Sequence, residues 1–385
     1  MNDLSVRAEA VANIAATYAD SVDREARFPA EALAAARSER LLGILIPAHL
    51  GGEGASISDI ADICYALGGA CASTGMIFAM HQIMVAILIR HMRDSAWHRE
   101  LLGQLLRDQL LIASSTTEGQ SGGDLRTSVC AVERTGSRFA LTRDATVMSY
   151  GAEADAILTT ARRSSDAPRT DQLLVAILKR DYRLEPIQDW QTLGMRGTCS
   201  SGYKLVAAGR IEQVLPDPYG SIHMRTMMPV AHLTWSSVWA GIAAAAVERA
   251  RRFVRVATRR AGGEMPPGAA HLTRAAMSLR SLQGAIASAL HRFEAIGSED
   301  DQLELLDFQN AMNLLKVDAS EMATAAVMSC MHACGLAGYR NDGEFSVARH
   351  LRDILSSSIM ISNDRILASA AAVSLLIEAP LSLRD

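Results

Sequence analysis

The chain has 385 residues, a length that accommodates two or three domains and a large buried core. Hydrophobic residues make up 49% of the sequence and charged residues 21%, a balance that is typical of globular proteins and excludes extensive disorder. The formal net charge of −4 excludes a strongly basic protein, so we expect no nucleic-acid partner.

Cysteine usage and the apolar segments restrict the class of protein further. The six cysteines are scattered, and no second cysteine pair completes a metal site, so we expect reduced buried thiols and no metal. The first residues lack the basic flank and apolar core of a signal peptide. The most apolar run, residues 76–88, is too short and too interrupted to cross a bilayer. We therefore expect a cytoplasmic protein without a membrane partner.

The periodicity of apolar residues changes twice along the chain. Residues 1–112 carry apolar residues at helical spacing and predict an N-terminal α-helical domain. Residues 113–225 contain short alternating or β-branched runs between polar turns, and they predict an antiparallel, barrel-like middle β domain. Residues 226–385 return to long helical patterns and predict a C-terminal helical bundle. The predicted helices cover 6–18, 29–42, 57–67, 74–92, 95–107, 239–260, 279–296, 303–334 and 346–377.

Five short motifs occur in order along these regions. Residues 42–54 read Leu-Gly-Ile-Leu-Ile-Pro-Ala-His-Leu-Gly-Gly-Glu-Gly, and residues 117–124 read Thr-Glu-Gly-Gln-Ser-Gly-Gly-Asp. Residues 193–198 read Leu-Gly-Met-Arg-Gly-Thr, residues 335–339 read Gly-Leu-Ala-Gly-Tyr, and an Arg-Asp pair occupies 352–353. Together with the order helices, strands, helices, these motifs resemble the acyl-CoA dehydrogenase family.

The resemblance implies an α+β fold of the acyl-CoA dehydrogenase type, with a four-helix C-terminal bundle. It also implies FAD, bound between the β domain and the C-terminal domain. Because the family shares its flavin across a subunit interface, a homodimer or homotetramer is expected. The family pattern assigns cofactor binding to Thr117, Gly123, Ser149, Arg255, Arg259, Gly335, Gly338 and Asn363.

These positions have different expected roles in holding the flavin. Thr117 matches a threonine that contacts the pyrimidine edge, and Ser149 falls where the family has a threonine beside the reactive flavin nitrogen. Arg255 and Arg259 flank the position of an arginine that reaches the partner subunit's flavin pyrophosphate. The glycines at 335 and 338 leave room for the pyrophosphate of a neighbouring subunit, since glycine has no side chain to obstruct it.

The family's catalytic glutamate is absent from this chain. Ile361 occupies its usual position, and Ala231 occupies the alternative position on the first helix of the C-terminal domain. Removal of the proton next to a thioester carbonyl therefore lacks its base. Branches of the superfamily that transfer oxygen from O2 do not need this glutamate. The resemblance thus favours a flavin-dependent oxygenase or oxidase that acts on an acyl-CoA or another acyl thioester.

Several residues are candidates for the chemistry. In the oxygen-using branches a histidine and a hydroxyl residue lie near the flavin, and His81 and Ser149 match them, although His81 is equally well a hydrogen-bonded core histidine. A dehydrogenase with a relocated base is the alternative, with Asp364 or His232 as the base. Asp364 also fits an acid favoured by a helix dipole. Glu118 is expected to shape its loop rather than to act in catalysis.

The electron partner depends on which interpretation holds. A dehydrogenase would pass electrons to a flavoprotein acceptor, whereas an oxygenase that uses diffusible flavin would receive it from a flavin reductase. A third interpretation is a scaffold that has lost its flavin. Three departures from the family pattern favour that view, because Gly123 replaces the usual serine, Val147 replaces a tryptophan and Ala257 stands at the position of an arginine. The intact motifs at 193–198 and 335–339 oppose it.

Overall fold

The computed structural model describes residues 3–118, 127–297 and 299–377. Helices come first, strands follow and helices return, which confirms the predicted α+β class of the acyl-CoA dehydrogenase type. The helices are α1 Asp3–Glu25, α2 Ala30–Ser38, α3 Ile57–Ala70, α4 Ala72–His91, α5 Ala96–Asp108, α6 Tyr219–Ile222, α7 Met228–Arg260, α8 Ala269–Ile296, α9 Asp300–Leu303, α10 Leu306–Cys334, α11 Leu336–Tyr339, α12 Ala348–Ile354 and α13 Asn363–Val373. The strands are β1 Ile112–Ser115, β2 Glu133–Thr135, β3 Arg138–Ala145, β4 Ala156–Arg162, β5 Gln172–Leu178, β6 Tyr182–Gln188 and β7 Gly202–Arg210.

Local sequence signals and small residues fix the packing of the N-terminal helices. Helix α3 starts at a capping box, in which Ser56 accepts from the backbone N–H of Asp59 and the Asp59 carboxylate accepts from Ser56. Two glycines then allow α3 and α7 to cross at close range. A Cβ at Gly68 would lie 2.4 Å from the Val238 carbonyl oxygen, and a Cβ at Gly241 would meet a backbone carbonyl of α3 at 2.1 Å.

Helix α4 is the central helix of this region. It has 20 residues and, like the continuous helical stretch 219–260, it is long and apolar enough to cross a membrane by length and composition. However, 89% of the most apolar window of α4 and 83% of that of 219–260 are buried inside the protein. A helix that is apolar all round and covered by protein is what the core of a large domain requires.

The strands form two sheets. One has the order β1-β4-β5, and the other has the order β2-β3-β7-β6. The predicted middle β domain is confirmed, with one difference: β1 and β4 run parallel, and the other pairs are antiparallel. The parallel pair arises because the chain between β1 and β4 first forms the β2–β3 hairpin of the other sheet.

The chain divides into two compact units, Met1–Ile242 and Ala243–Asp385. In the second unit α8 and α10 pack along their lengths, and α12 and α13 pack on α10. The single helix predicted over 346–377 is wrong, because α12 ends at Ile354 and α13 begins at Asn363. Between them Ile361 has a φ of 52°, a left-handed conformation that cannot continue a right-handed helix. The three-domain boundaries at 112 and 225 stay a prediction.

Candidate functional site

Three hydroxyl groups form a continuous hydrogen-bonded chain in the first unit. Ser149 Oγ lies 2.8 Å from Ser200 Oγ, and Ser200 Oγ lies 2.7 Å from Thr198 Oγ1. Thr198 Oγ1 donates to the Met195 carbonyl oxygen at 2.8 Å. Ser149 is half-buried, whereas Ser200 and Thr198 are buried. The chain therefore runs from an accessible hydroxyl into the protein interior.

The directions of these hydrogen bonds follow from donor counting. Each hydroxyl has a single hydrogen, and that of Thr198 is directed to the Met195 carbonyl oxygen. Ser200 must then donate to Thr198, and Ser149 must donate to Ser200. The accessible side of Ser149 Oγ consequently presents lone pairs, so Ser149 is arranged to accept a hydrogen bond from a ligand N–H or O–H group.

The backbone around Ser149 is held firmly. Tyr150 adopts a left-handed φ of 43°, its backbone N–H donates to Thr198 O at 2.8 Å, and its buried hydroxyl donates to Ile112 O at 3.0 Å. The turn at 193–198 supports this segment, and its glycine has a packing role: a Cβ at Gly197 would lie 2.3 Å from a methyl group of Val22. Strained backbone that its surroundings over-determine is common at functional sites.

Thr117 and Ser149 lie on neighbouring segments. Thr117 Oγ1 donates to the Val147 carbonyl oxygen at 3.2 Å, which ties the end of β1 to the segment that carries Ser149. The structure thus links the segment of the residue assigned to the pyrimidine edge of the flavin with the segment of the residue assigned to its reactive nitrogen. The third predicted contact of this region, Gly123, lies outside the described residues.

Glu118 shapes the adjacent loop, as expected. Its carboxylate accepts hydrogen bonds from Val129 N at 2.6 Å, Cys130 N at 3.2 Å and Ser128 Oγ at 3.0 Å. It also forms an ion pair with the fully buried guanidinium of Arg143 at 3.1 Å. A carboxylate with this many partners is committed to structure, which confirms that Glu118 is not available as a catalytic base.

The hydrogen bonds of His81 favour one of the two roles that the sequence left open for it. The ring is fully buried, the Ile112 N–H donates to Nδ1 at 3.1 Å, and Nε2 lies 2.8 Å from the Leu42 carbonyl oxygen. Because an N–H group only donates, Nδ1 accepts, and the single ring proton resides on Nε2 and points to Leu42. Both nitrogens are engaged by backbone, so His81 fits the alternative that the sequence left open, a core histidine.

Burial of His81 makes the protein sensitive to acid. Burial lowers the pKa of His81 to about 4, and it lowers the pKa of the buried His98 to about 4 as well. In the unfolded chain both histidines bind a proton near pH 6.5. The free energy of unfolding therefore has its full value above that pH, and it falls as the pH approaches 4 because protons bind to the unfolded chain first. Each histidine should then cost about 2 kcal/mol of unfolding free energy between pH 7.5 and pH 5. Urea denaturation at the two pH values measures this loss.

A pair of variants isolates the contribution of His81. In His81→Gln the loss between the two pH values should shrink by about 2 kcal/mol, whatever the variant's stability at neutral pH. In His49→Gln, which alters an exposed histidine, the loss should equal that of the wild type. Equal losses in all three proteins would show that His81 is not a neutral core group.

In the second unit a buried lysine binds the backbone of residue 361, the position that the family pattern assigns to the missing glutamate. Lys316 Nζ donates to the Ile361 carbonyl oxygen at 2.5 Å and to Asn363 Oδ1 at 2.7 Å, and Asn363 Nδ2 donates to Ser320 Oγ at 2.8 Å. Burial lowers the pKa of Lys316 to about 8. Asn363 is buried and engaged in this network, and its predicted contact with the cofactor would require exchange of these partners.

The two proposed relocated bases occupy different environments. Asp364 is exposed in the first turn of α13, where a carboxylate is favoured by the helix dipole, as the structural alternative predicted. His232 is buried within α7, with its ring centroid 6.1 Å from that of Trp235. The chain segment around Asp364 therefore provides no buried carboxylate at the place of the family's glutamate.

The remaining predicted cofactor residues lie at the ends of helices. Arg255 and Arg259 are exposed on α7. Gly335 has a φ of 57° at the end of α10 and lines a cavity of about 520 Å³ together with His271, His332 and other residues. Packing also requires glycine at position 338, since a Cβ there would lie 2.7 Å from Cys334 Cβ. The 335–339 turn thus borders an open cavity, and its contact with a cofactor stays a prediction.

Several structurally important residues were not singled out by the sequence. Thr198 ends a motif that the sequence does show, but the hydrogen bonds of Ser200 and Thr198 to Ser149 form only where the 195–201 turn packs against the segment of Ser149. Lys316 did carry a signal, because it is one of three lysines in the chain and lies in the apolar pattern of a helix. A lone charge on an apolar face of a helix indicates a buried polar network.

Known proteins resemble the chain over most of its length. Dibenzothiophene monooxygenase of Rhodococcus erythropolis is 23% identical over 325 residues, which cover 78% of this chain and 76% of that protein. The Mycolicibacterium goodii enzyme of the same name is 26% identical over 58% of this chain and 55% of its own length.

The crystal structure of FMN-bound TdsC from Paenibacillus sp. A11-2 superimposes with a TM-score of 0.86 at 19% identity and covers 99% of this chain and 98% of that one. Methanesulfinate monooxygenase MsuC from Pseudomonas fluorescens superimposes with a TM-score of 0.81 at 19% identity over 99% and 98% of the two chains.

Two family patterns match the chain directly. Residues 4–109 match the acyl-CoA dehydrogenase N-terminal domain, and residues 221–375 match the acyl-CoA dehydrogenase C-terminal domain. The two matches cover the helical regions on both sides of the β domain, and the fold agrees with them. The chain belongs to the acyl-CoA dehydrogenase family and with it to the flavin-dependent oxidoreductases.

Proposed function

We propose that this protein is a flavin-dependent monooxygenase that uses reduced flavin and O2 to transfer one oxygen atom to a small organic molecule. Reduced flavin supplies the two electrons that convert the second oxygen atom to water. The observation that carries the proposal is the state of position 361, where an isoleucine replaces the base and Lys316 fixes its backbone carbonyl. Oxygen transfer does not require the carboxylate that dehydrogenation needs.

The hydroxyl chain supports a role for reduced flavin. The reactive ring nitrogen of flavin carries a hydrogen when reduced and none when oxidised, as a matter of flavin chemistry. Ser149 presents lone pairs on its accessible side, so it matches the donor of the reduced ring and not the acceptor of the oxidised ring. In this proposal Ser149 orients the ring, while Ser200 and Thr198 position Ser149.

The form of the flavin is part of the proposal. The family resemblance implies FAD, whereas two similar solved structures, those of TdsC and KijD3, contain FMN. Arg255 and Arg259 are exposed and form no ion pair with a carboxylate in the described part of the chain, which supports a loosely held phosphate end rather than a buried dinucleotide. We favour a diffusible reduced FMN delivered by a flavin reductase, with FAD as the alternative, and a homodimer or homotetramer in the cytoplasm.

The substrate is proposed to be a small organosulfur compound. Dibenzothiophene and methanesulfinate, named for the similar enzymes, share a sulfur atom that carries lone pairs and accepts an oxygen atom. The missing carboxylate fits this chemistry, because sulfur oxygenation removes no proton from carbon. The soft, polarisable methionines, 17 in all, suit an apolar sulfur ligand, although eight of them are buried in the core.

A second candidate substrate class is an acyl thioester. The chain is 25% identical over 183 residues to 3-sulfinopropanoyl-CoA desulfinase of Paraburkholderia xenovorans, whose name contains both a CoA thioester and a sulfinate. An acyl-CoA could then enter either oxygen transfer or dehydrogenation to a flavoprotein acceptor. The two reactions differ in whether oxygen appears in the product.

One experiment separates these possibilities. The purified protein is mixed with chemically reduced FMN or FAD, labelled O2, and either dibenzothiophene, methanesulfinate or a saturated acyl-CoA, and products are analysed by mass spectrometry. We expect one labelled oxygen atom per product molecule with a sulfur substrate. A parallel reaction contains the acyl-CoA, oxidised flavin and an electron-accepting dye without reduced flavin, and formation of an unlabelled 2-enoyl-CoA with reduction of the dye would contradict the proposal. Absence of saturable binding by either flavin would instead indicate a scaffold.

A further inference from the structure

A second cavity lies in the first unit, at the far end of a strand pair from the hydroxyl chain. In the register of β3 with β7, Ala145 pairs with Tyr203 at one end and Arg138 pairs with Arg210 at the other. Ser149 and Ser200 flank the first of these ends. Seven residues of strand separate the two ends, roughly 23 Å at the usual rise. The cavity at the Arg138 end, about 220 Å³ in volume, is therefore distinct from the proposed flavin site.

The register concentrates positive charge at this cavity. Arg138 and Arg210 are directly opposed on one face of an antiparallel pair, an arrangement of like charges that is destabilising unless it is compensated. Arg210 is compensated by Glu212 at 2.6 Å. Arg138 and Arg180, which also line the cavity, form no ion pair with a carboxylate among residues 3–118, 127–297 and 299–377.

Hydrogen bonds of Gln213 fix the floor of the cavity and engage its one lining carboxylate, that of Asp181. Gln213 is 2% exposed, its Oε1 accepts from Arg210 N at 2.6 Å, and its Nε2 donates to Ala176 O at 3.1 Å. The same Nε2 lies 3.3 Å from Asp181 Oδ2, which engages that carboxylate. Gly209 makes this packing possible, since a Cβ there would lie 1.9 Å from Gln213 Oε1.

We propose that this cavity binds a tetrahedral oxyanion, a phosphate or sulfate group, with Arg138 and Arg180 as its main anchors. Guanidinium groups match such oxyanions with paired N–H donors, and an anion here would relieve the repulsion between the opposed arginines. The half-buried Trp97 forms a wall of the cavity. The volume is below the roughly 300–1,000 Å³ of sites for larger ligands, so the oxyanion carries at most a small organic part.

The test uses the full-length protein with inorganic phosphate and, separately, inorganic sulfate, at constant ionic strength. Binding is followed by calorimetry and by tryptophan fluorescence, because Trp97 lines the cavity. We expect saturable binding of at least one anion and a fluorescence change that disappears in Trp97→Phe. The Arg138→Gln/Arg180→Gln double variant should weaken binding by at least about tenfold, since each lost charged hydrogen bond has an effect of that size.

A matched control distinguishes a site from general charge screening. Arg169→Gln removes an exposed arginine of the same unit that does not line the cavity, and its affinity should equal that of the wild type. Arg138→Lys keeps the charge without the paired donors and should bind with intermediate affinity. Non-saturable binding, or equal weakening by Arg169→Gln and the double variant, would overturn the proposal. The relative affinities for phosphate and sulfate identify which oxyanion the site takes.

Discussion

Replacement of Glu118 by alanine is expected to lower the free energy of unfolding by about 3–5 kcal/mol, the usual cost of removing one partner of a buried ion pair. The guanidinium of Arg143 would remain buried, its other hydrogen bonds within the described residues go to Thr160, and burial already lowers its pKa. The Nε and Nη2 atoms of Arg143 have no hydrogen-bond partner within the described residues, so loss of the carboxylate is not made up locally. Chemical denaturation of the apoprotein measures the change.

Two further variants test the cause of this loss. Glu133→Ala removes an exposed carboxylate of the same β domain and should change stability by no more than about 0.5 kcal/mol. Glu118→Gln combined with Arg143→Met removes both charges and should recover most of the lost stability, because no unpaired buried charge remains. A Glu118→Ala protein within about 1 kcal/mol of the wild type would show that the ion pair is not the main support of this loop.

Replacement of Ser149 by alanine is expected to lower the rate of oxygen transfer by about 10²–10³-fold, the effect of deleting one preorganised hydrogen-bonding group. The expectation follows from the proposed contact of Ser149 with the reduced ring. The same variant should lose any preference for reduced over oxidised flavin, because the group that discriminates a donor from an acceptor is gone. Single-turnover kinetics and flavin binding in the two redox states measure these effects.

The hydroxyl chain provides graded controls. Ser149→Thr keeps the hydroxyl and should keep the activity, whereas Thr198→Val frees the hydrogen of Ser200 from its fixed direction and should weaken the redox preference with a smaller loss of rate. Ser201→Ala changes a neighbouring hydroxyl outside the chain and should behave as the wild type. Wild-type rates in Ser149→Ala would contradict the role assigned to Ser149.

Residue patterns predicted the elements more reliably than their ends. Apolar spacing predicted α4 and α10 well, because both are long and end in clear signals, including Gly335. The predicted helix over 346–377 is interrupted, since α12 ends at Ile354 and Ile361 adopts a left-handed backbone whose carbonyl accepts a hydrogen bond from Lys316. That contact joins residues 45 positions apart, so no local pattern carries it.

For the two candidate catalytic histidines, the sequence likewise predicts less than the tertiary contacts show. A histidine on an apolar helix face predicts either a ligand contact or a core hydrogen bond, and only the positions of Ile112 and Leu42 decide for His81. His232 is likewise buried, inside α7. Ser149 differs, since its half-buried hydroxyl keeps an open face.

The amino-acid sequence alone determined the family, the order of helices and strands, the absence of glutamate at position 361 and the structural role of Glu118. These depend on residue identity and on spacing within short segments, both of which are legible before folding. The tertiary structure decided the role of His81, the direction of the hydroxyl chain and the cluster of arginines at the far end of β3 and β7. Each of these arises from contacts between segments distant in sequence, and hydrogen-bond direction and charge proximity exist only once those segments meet.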